Sequence, residues 1–165
     1  MFLSKPRRIS KTALIAICFC VLFFGGMLYL IGSALHLQTT YRNFIYALSD
    51  STVYCYENNC LRAELEGDTV RVTGENAYAV YFLFTKKPGK PRVVAPQEDP
   101  HLILDYGDGA TLECWSYKME GSARRTYGIF WRFTSAEGKV FLFDTDDLSL
   151  SQIKSRVSLK KNAPW

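Results

Sequence analysis

The feature that most constrains this chain is a long uncharged, apolar segment near its N-terminus. The 23 residues 13–35 read ALIAICFCVLFFGGMLYLIGSAL, and no Asp, Glu, Lys or Arg occurs from Thr12 to Tyr41. A helix rises about 1.5 Å per residue, so it needs about 20 apolar residues to cross the hydrocarbon core of a bilayer. The sequence therefore predicts a transmembrane helix over residues 12–37.

The charges beside this segment predict its orientation. Residues 1–11 carry four basic side chains and no acidic one, and this surplus accounts for the whole net charge of +4. Loops rich in Lys and Arg stay on the cytoplasmic side of a membrane. We therefore expect a cell-membrane protein with a basic cytoplasmic tail over 1–11 and a domain over 38–165 outside the cytoplasm. The lipid bilayer is the expected partner, and because the surplus lies beside the span, it does not predict binding to nucleic acid.

A cleavable signal peptide is the competing interpretation of the apolar segment. Such peptides have an apolar stretch of about 7–15 residues followed by small residues. The sequence GSA at 32–34 resembles such a cleavage site, but the apolar segment is longer than that range. The sequence thus favours a retained signal anchor that crosses the membrane once.

Residues 38–165 have the patterns of an α+β domain. The apolar residues between Tyr41 and Leu48 have the spacing of an amphipathic helix, which continues the spanning helix. The other expected elements are strands at 51–57, 60–67 and 69–74, a helix at 75–87, a proline-rich segment at 87–101, hairpins at 102–118 and 126–144, and a helix at 144–159. The prediction is a mostly antiparallel sheet with helices on one side, built from about three strands, a helix, four strands and a helix.

Two of the five cysteines, Cys55 and Cys60, are the first and last residues of the segment CYENNC, which connects two predicted strands. If all four residues between them form the hairpin loop, the cysteines face each other and can form a disulfide. If only Asn58 and Asn59 form the turn, the cysteines are diagonal neighbours, about 7–8 Å apart, which is too far for that bond. An oxidising compartment favours the bond. We therefore predict a Cys55–Cys60 disulfide, with two free thiols as the alternative.

The sequence predicts neither a cofactor nor a metal site. A structural zinc site needs four ligands, but the chain has only two histidines and no C-x-x-C pair. The acidic run DTDD at 144–147 lacks the glycine and the late glutamate of a calcium loop. Because the run precedes a predicted helix, Asp146 or Asp147 is expected to cap that helix.

Aromatic and basic residues define a candidate partner-contact patch. In TLECWSYK, at 111–118, Trp115 and Tyr117 share one face of a predicted strand. Exposed aromatic side chains can anchor a partner, although a second layer of the domain would bury them equally well. The basic residues of the preceding segment could contact anionic headgroups or envelope polymers. These residues are Lys86, Lys87, Lys90 and Arg92.

The function most consistent with these patterns is a non-enzymatic interaction or accessory module with a membrane or envelope protein as its partner. No catalytic residue is assigned, because His101 is the only histidine beyond residue 38 and has no nucleophile beside it in the sequence. A cell-envelope hydrolase is one alternative, and it would bring Glu113, Asp105 or His101 together in a cleft. A sensor or assembly subunit that acts through its transmembrane helix is another.

Overall fold

The computed structural model describes residues 10–86, 88–118, 127–146 and 148–159. Within these ranges the chain forms three helices and seven strands. The helices are α1 (Lys11–Asn58), α2 (Glu75–Lys86) and α3 (Leu150–Arg156). The strands are β1 (Arg62–Leu65), β2 (Asp68–Arg71), β3 (Lys90–Pro91), β4 (Leu102–Asp105), β5 (Thr111–Lys118), β6 (Tyr127–Thr134) and β7 (Val140–Thr145). The described residues divide into two compact units, one ending at Thr39 and the other beginning at Thr40.

The first unit is the N-terminal part of α1. The helix begins where the side-chain oxygen of Ser10 accepts a hydrogen bond from the backbone N–H of Ala13 at 3.2 Å, as an N-cap residue does. The large apolar side chains of this unit are exposed on all sides of the helix. Among the described residues, α1 is long and apolar enough to cross a membrane. The orientation of the span stays a prediction, and residues 1–9 of the basic tail lie outside the described residues.

The C-terminal part of α1 belongs to the core of the second unit. Its buried residues Phe44, Leu48, Thr52 and Cys55 recur every three or four positions, which is the spacing of one helical face. The hydroxyl of Thr52 donates to the backbone C=O of Leu48 at 2.6 Å, so its burial leaves no unsatisfied polar atom. The amphipathic helix expected after residue 41 is confirmed.

The strand predicted at 51–57 is wrong, because α1 continues through this segment. The prediction followed its β-branched and aromatic residues. Val53, Tyr54 and Tyr56, however, are exposed side chains of the helix and do not pack against a sheet. Intrinsic propensity is a weak determinant, and the buried stripe of α1 decides the conformation here.

The two asparagines of CYENNC end this helix and do not form a hairpin turn. Asn59 has a φ of 47°, in the left-handed region, and the N–H of Cys60 donates to the C=O of Cys55 at 3.3 Å. This is the pattern of a Schellman motif at a helix C-terminus. The side chain of Asn59 also accepts a hydrogen bond from the N–H of Gly74 at 2.7 Å. The predicted hairpin between Cys55 and Cys60 is therefore wrong.

The seven described strands form one antiparallel sheet in the order β2-β1-β4-β5-β6-β7-β3. The predicted α+β class and antiparallel sheet are confirmed. The strands are distributed differently along the chain, with two before α2 and five after it. The two predicted hairpins join β4 to β5 and β6 to β7, and the carboxylate of Asp108 accepts from the N–H of Ala110 in the first turn. The short β3, in the proline-rich segment, was not predicted.

Helices α1 and α2 cover one face of the sheet, called the inner face here. The ring centroid of Trp131 is 4.6 Å from that of Phe143, 4.7 Å from that of Phe84 and 4.9 Å from that of Phe44. These distances are typical of favourable aromatic pairs. Residues of β1, β4 and β5 extend this core across the sheet; they are Ala63, Leu65, Leu102, Leu104, Leu112 and Cys114.

Helix α3 starts at a capping box. The hydroxyl of Ser149 accepts from the backbone N–H of Gln152, and the side chain of Gln152 accepts from the backbone N–H of Ser149 at 2.7 Å. These reciprocal bonds satisfy two backbone donors that a helix N-terminus leaves without partners. The cap is therefore Ser149 and not Asp146, while Asp147 lies outside the described residues.

The segment 92–101, called the strap here, crosses the outer face of the sheet. Because β3 lies beyond β7 and β4 lies beyond β5, the chain between β3 and β4 passes three strands. The indole N–H of Trp115 donates to the backbone C=O of Glu98 at 2.7 Å. Trp115 and its cross-strand neighbour Phe130 are only 4% and 8% exposed. The strap is thus the second layer over this part of the outer face.

Candidate interaction surface

A polar cluster on the outer face joins the strap to two strands. The guanidinium of Arg92 donates through Nε and Nη2 to Oδ2 of Asp144 at 3.1 and 2.5 Å, and the hydroxyl of Tyr117 donates to Oδ1 of the same carboxylate. The three residues come from the strap, β5 and β7. One carboxylate therefore fixes both an arginine and a tyrosine at the surface.

The position of Tyr117 depends on a glycine in the neighbouring strand. Tyr117 pairs directly with Gly128 in the β5–β6 register. A Cβ atom built on Gly128 would lie 2.5 Å from the Tyr117 ring, which is closer than carbon atoms approach. Glycine in a strand often marks such a close approach. Because Gly128 has no side chain, the ring of Tyr117 lies over it and its hydroxyl reaches Asp144.

The electrostatics of the cluster keep both donors protonated. Burial, followed by the hydrogen bond to Asp144, raises the pKa of Tyr117 to about 12. The same carboxylate raises the pKa of Arg92 through its hydrogen bonds. At neutral pH Tyr117 is a neutral donor, while Arg92 is a cation whose charge is balanced by Asp144.

A second ion pair lies beside the cluster. Arg132 of β6 pairs with Glu113 of β5, and its guanidinium lies 5.5 Å from the centroid of the Trp115 ring, in cation–π range. The hydrogen bond to Glu113 raises the pKa of Arg132. Both charges therefore hold the outer face together around the buried Trp115.

The structure unites only part of the predicted partner-contact patch. Tyr117 and Arg92 share Asp144, and Lys90 is the cross-strand neighbour of that carboxylate. Trp115 does not belong to the exposed patch, because the strap buries it. Lys86 ends α2 and lines a separate cleft, described below, and Lys87 lies outside the described residues.

The predicted disulfide is not formed in this structure. Cys55 and Cys60 are both free thiols, the first buried in the core and the second partly buried. The thiol of Cys60 donates to the backbone C=O of Tyr106 at 2.9 Å. Burial raises the pKa of Cys55 to about 12, and the neighbouring Cys60 adds to the shift. Cys55 is therefore an unreactive thiol at neutral pH.

The residues named for a hydrolase make local structural contacts. Asp105 accepts from the backbone N–H of Gly107 at 2.8 Å, and Nδ1 of His101 accepts from the backbone N–H of Ser116 at 3.1 Å. Glu113 is held by its ion pair. The β4–β5 register makes Asp105 and Glu113 diagonal neighbours on the outer face. Across the described ranges, no group of three or more His, Cys, Asp or Glu side chains could hold a metal ion.

No protein-family model, curated protein or solved structure matches this chain. The function proposed below therefore rests on the chemistry of its own surface.

Proposed function

We propose that this chain is a single-pass membrane protein whose domain over 38–165 lies outside the cytoplasm and acts as a non-enzymatic interaction module. We further propose that it contacts a membrane or envelope protein through one surface, called the edge patch here. The edge patch consists of Lys90, Arg92, Val93, Val94 and Tyr117.

The exposure of two valines is the observation that supports this surface most strongly. Val93 is 93% exposed and Val94 is 76% exposed, and both follow directly on the fixed Arg92. A single exposed apolar residue is ordinary, but two adjacent ones offer an apolar contact, and the tyrosine and arginine beside them are residue types that are enriched in protein interfaces. The surface suits a partner that offers a small apolar contact with acidic groups around it.

The polar cluster favours binding because it fixes part of this surface in advance. Asp144, whose side chain is only 16% exposed, holds both Arg92 and Tyr117. Side chains that are already ordered lose less conformational entropy when a partner binds.

Site-specific photo-crosslinking of the full chain in its native membrane tests this proposal. A photoreactive amino acid at position 93 is expected to give a discrete crosslinked product. The same group at Val140, which is 55% exposed but outside the edge patch, is the matched control and should not give that product. Lys90→Glu should weaken the crosslink from position 93. Equal crosslinking from positions 93 and 140, or none from either, would contradict the proposed surface.

The proposed orientation has a separate test. An epitope tag at the C-terminus should bind antibody in intact cells as well as in permeabilised ones. A tag that is detected only after permeabilisation would place the domain in the cytoplasm and refute the proposed location, whatever the crosslinking result.

A further inference from the structure

A cleft of about 420 Å³ lies between α2 and α3, and none of its lining residues belongs to the edge patch. We call it the α2–α3 cleft. Its volume is within the usual range of about 300–1,000 Å³ for small-ligand sites. Its apolar lining residues are Ala79, Phe82, Leu83 and Leu148, and its polar lining residues are Lys86, Gln152, Ser155 and Arg156.

The apolar side of this cleft is not explained by the core of the domain. Helix α2 packs against the sheet through Ala77, Val80 and Phe84, which are fully buried. The cleft uses a different face of the same helix, on which Phe82 is 64% exposed. An exposed aromatic ring on the wall of a cleft is available to a ligand.

The charged side chains among the described lining residues of the cleft have one sign. Lys86 ends α2 and Arg156 ends α3, both side chains line the cleft, and none of the other described lining residues carries a carboxylate. Within the described ranges, no carboxylate lies within 4.0 Å of either cation. Cations at helix C-termini also stabilise the helix dipole. That role does not account for the apolar surface between them.

An apolar wall next to two cations is complementary to an anion that carries a hydrocarbon chain. We propose that the α2–α3 cleft binds an anionic lipid, with hydrocarbon against Phe82 and Leu83 and the phosphate between Lys86 and Arg156. That the lipid comes from the bilayer depends on the membrane anchoring proposed above. The presence of the cleft and of its two cations does not depend on that proposal.

Native mass spectrometry of the full-length protein, purified in detergent with equal amounts of phosphatidylglycerol and phosphatidylcholine, tests the proposal. The wild type is expected to retain phosphatidylglycerol preferentially. The double variant Lys86→Glu/Arg156→Glu should lower its affinity by about tenfold or more, because it removes two charge-assisted contacts. The double variant Arg71→Glu/Lys118→Glu makes the same change of charge at two exposed residues outside the cleft and outside the edge patch, and it should retain the lipid.

A further variant separates a lipid site from simple charge attraction. Phe82→Gln keeps both cations and adds no charge but removes the apolar wall, and it should also lose phosphatidylglycerol, with circular dichroism confirming that the domain stays folded. Full retention by Phe82→Gln, or equal loss in both charge-reversal variants, would overturn the proposal. Binding of soluble glycerol phosphate as tight as that of the lipid, or binding of an acidic peptide without lipid, would overturn it as well. None of these results depends on the edge patch, so the two proposals can fail independently.

Discussion

Replacing Phe44 with alanine tests whether the C-terminal part of α1 is a core element of the domain. Phe44 is fully buried, and its ring lies within 6 Å of four other aromatic rings. These rings belong to Trp131, Phe133, Phe141 and Phe143, on two neighbouring strands. Because rigid strands hold the surrounding rings, we expect them to collapse only partly into the space that the substitution leaves.

The expected loss of stability follows from this packing. Replacing a buried phenylalanine with alanine lowers the free energy of unfolding by about 3–5 kcal/mol. The loss is larger when the surrounding side chains do not collapse fully into the cavity. We therefore expect about 4 kcal/mol, a large share of the 5–15 kcal/mol that stabilises a typical domain. With a urea dependence of about 2 kcal/mol per molar, the unfolding midpoint should fall by about 2 M.

Urea unfolding of the full chain in detergent micelles, followed by tryptophan fluorescence, measures this shift. Trp131 contacts Phe44 directly, so its emission reports on this part of the core. Tyr46→Ala is the matched control, because Tyr46 lies two residues further along α1 and is 62% exposed. It should change stability by no more than about 0.5 kcal/mol.

Equal midpoints for Phe44→Ala and Tyr46→Ala would refute the reasoning. Such a result would mean that the domain folds without the C-terminal part of α1, and that residues 51–57 are free to adopt the strand that their composition favours. A shift of about 2 M for Phe44→Ala alone would support the helix that the structure shows.

Three further predictions concern the outer face and the thiols. The pKa of Tyr117 lies near 12 in the folded domain and near 10 when unfolded, so its stabilising contribution is complete below pH 10 and is lost as the pH rises towards 12. Thermal unfolding of Tyr117→Phe should therefore show a smaller loss of stability than the wild type over that range. Gly128→Ala should move the Tyr117 ring away from Asp144, lower stability by about 1–2 kcal/mol, and reduce the same pH dependence; a pH profile like that of the wild type would contradict this. Maleimide at neutral pH should label Cys60 faster than the buried Cys55 in the folded protein, and both should react in denaturant without reductant; labelling that requires reductant would reveal the disulfide that the structure lacks.

The sequence predicted those elements whose signals are local. The apolar run, the helix predicted at 75–87 and the turns of the two predicted hairpins each depend on residues close together in the chain. The structure has an element of the predicted type at each of these places, the helix being Glu75–Lys86. The capping box at 149–152 was also readable as S-x-x-Q. The acidic run before it is also typical of a helix N-terminus, and it led to the wrong prediction that Asp146 or Asp147 caps the helix.

Elements that depend on distant contacts could not be predicted. Whether 51–57 is helix or strand depends on its buried face, and Cys55 lies against a core built from strands much later in the chain. The two-residue β3 exists only because it pairs with β7. The cluster of Arg92, Tyr117 and Asp144 likewise joins residues that are far apart in the chain. The sequence signal that pointed to it was Gly128, a glycine inside a predicted strand, where glycine often marks the close approach of another group.

The strap also imposes an order on folding. Strands β5, β6 and β7 are consecutive neighbours in the sheet, whereas β3 pairs with a strand about 50 residues later, beyond all of them. Contacts that close long loops form late, because their entropy cost is met only after nearer contacts exist. The three-strand meander is therefore expected to form first, with Trp115 still accessible to water. Closure of the strap would then dehydrate this indole in a final step, so its fluorescence should change after that of the inner core.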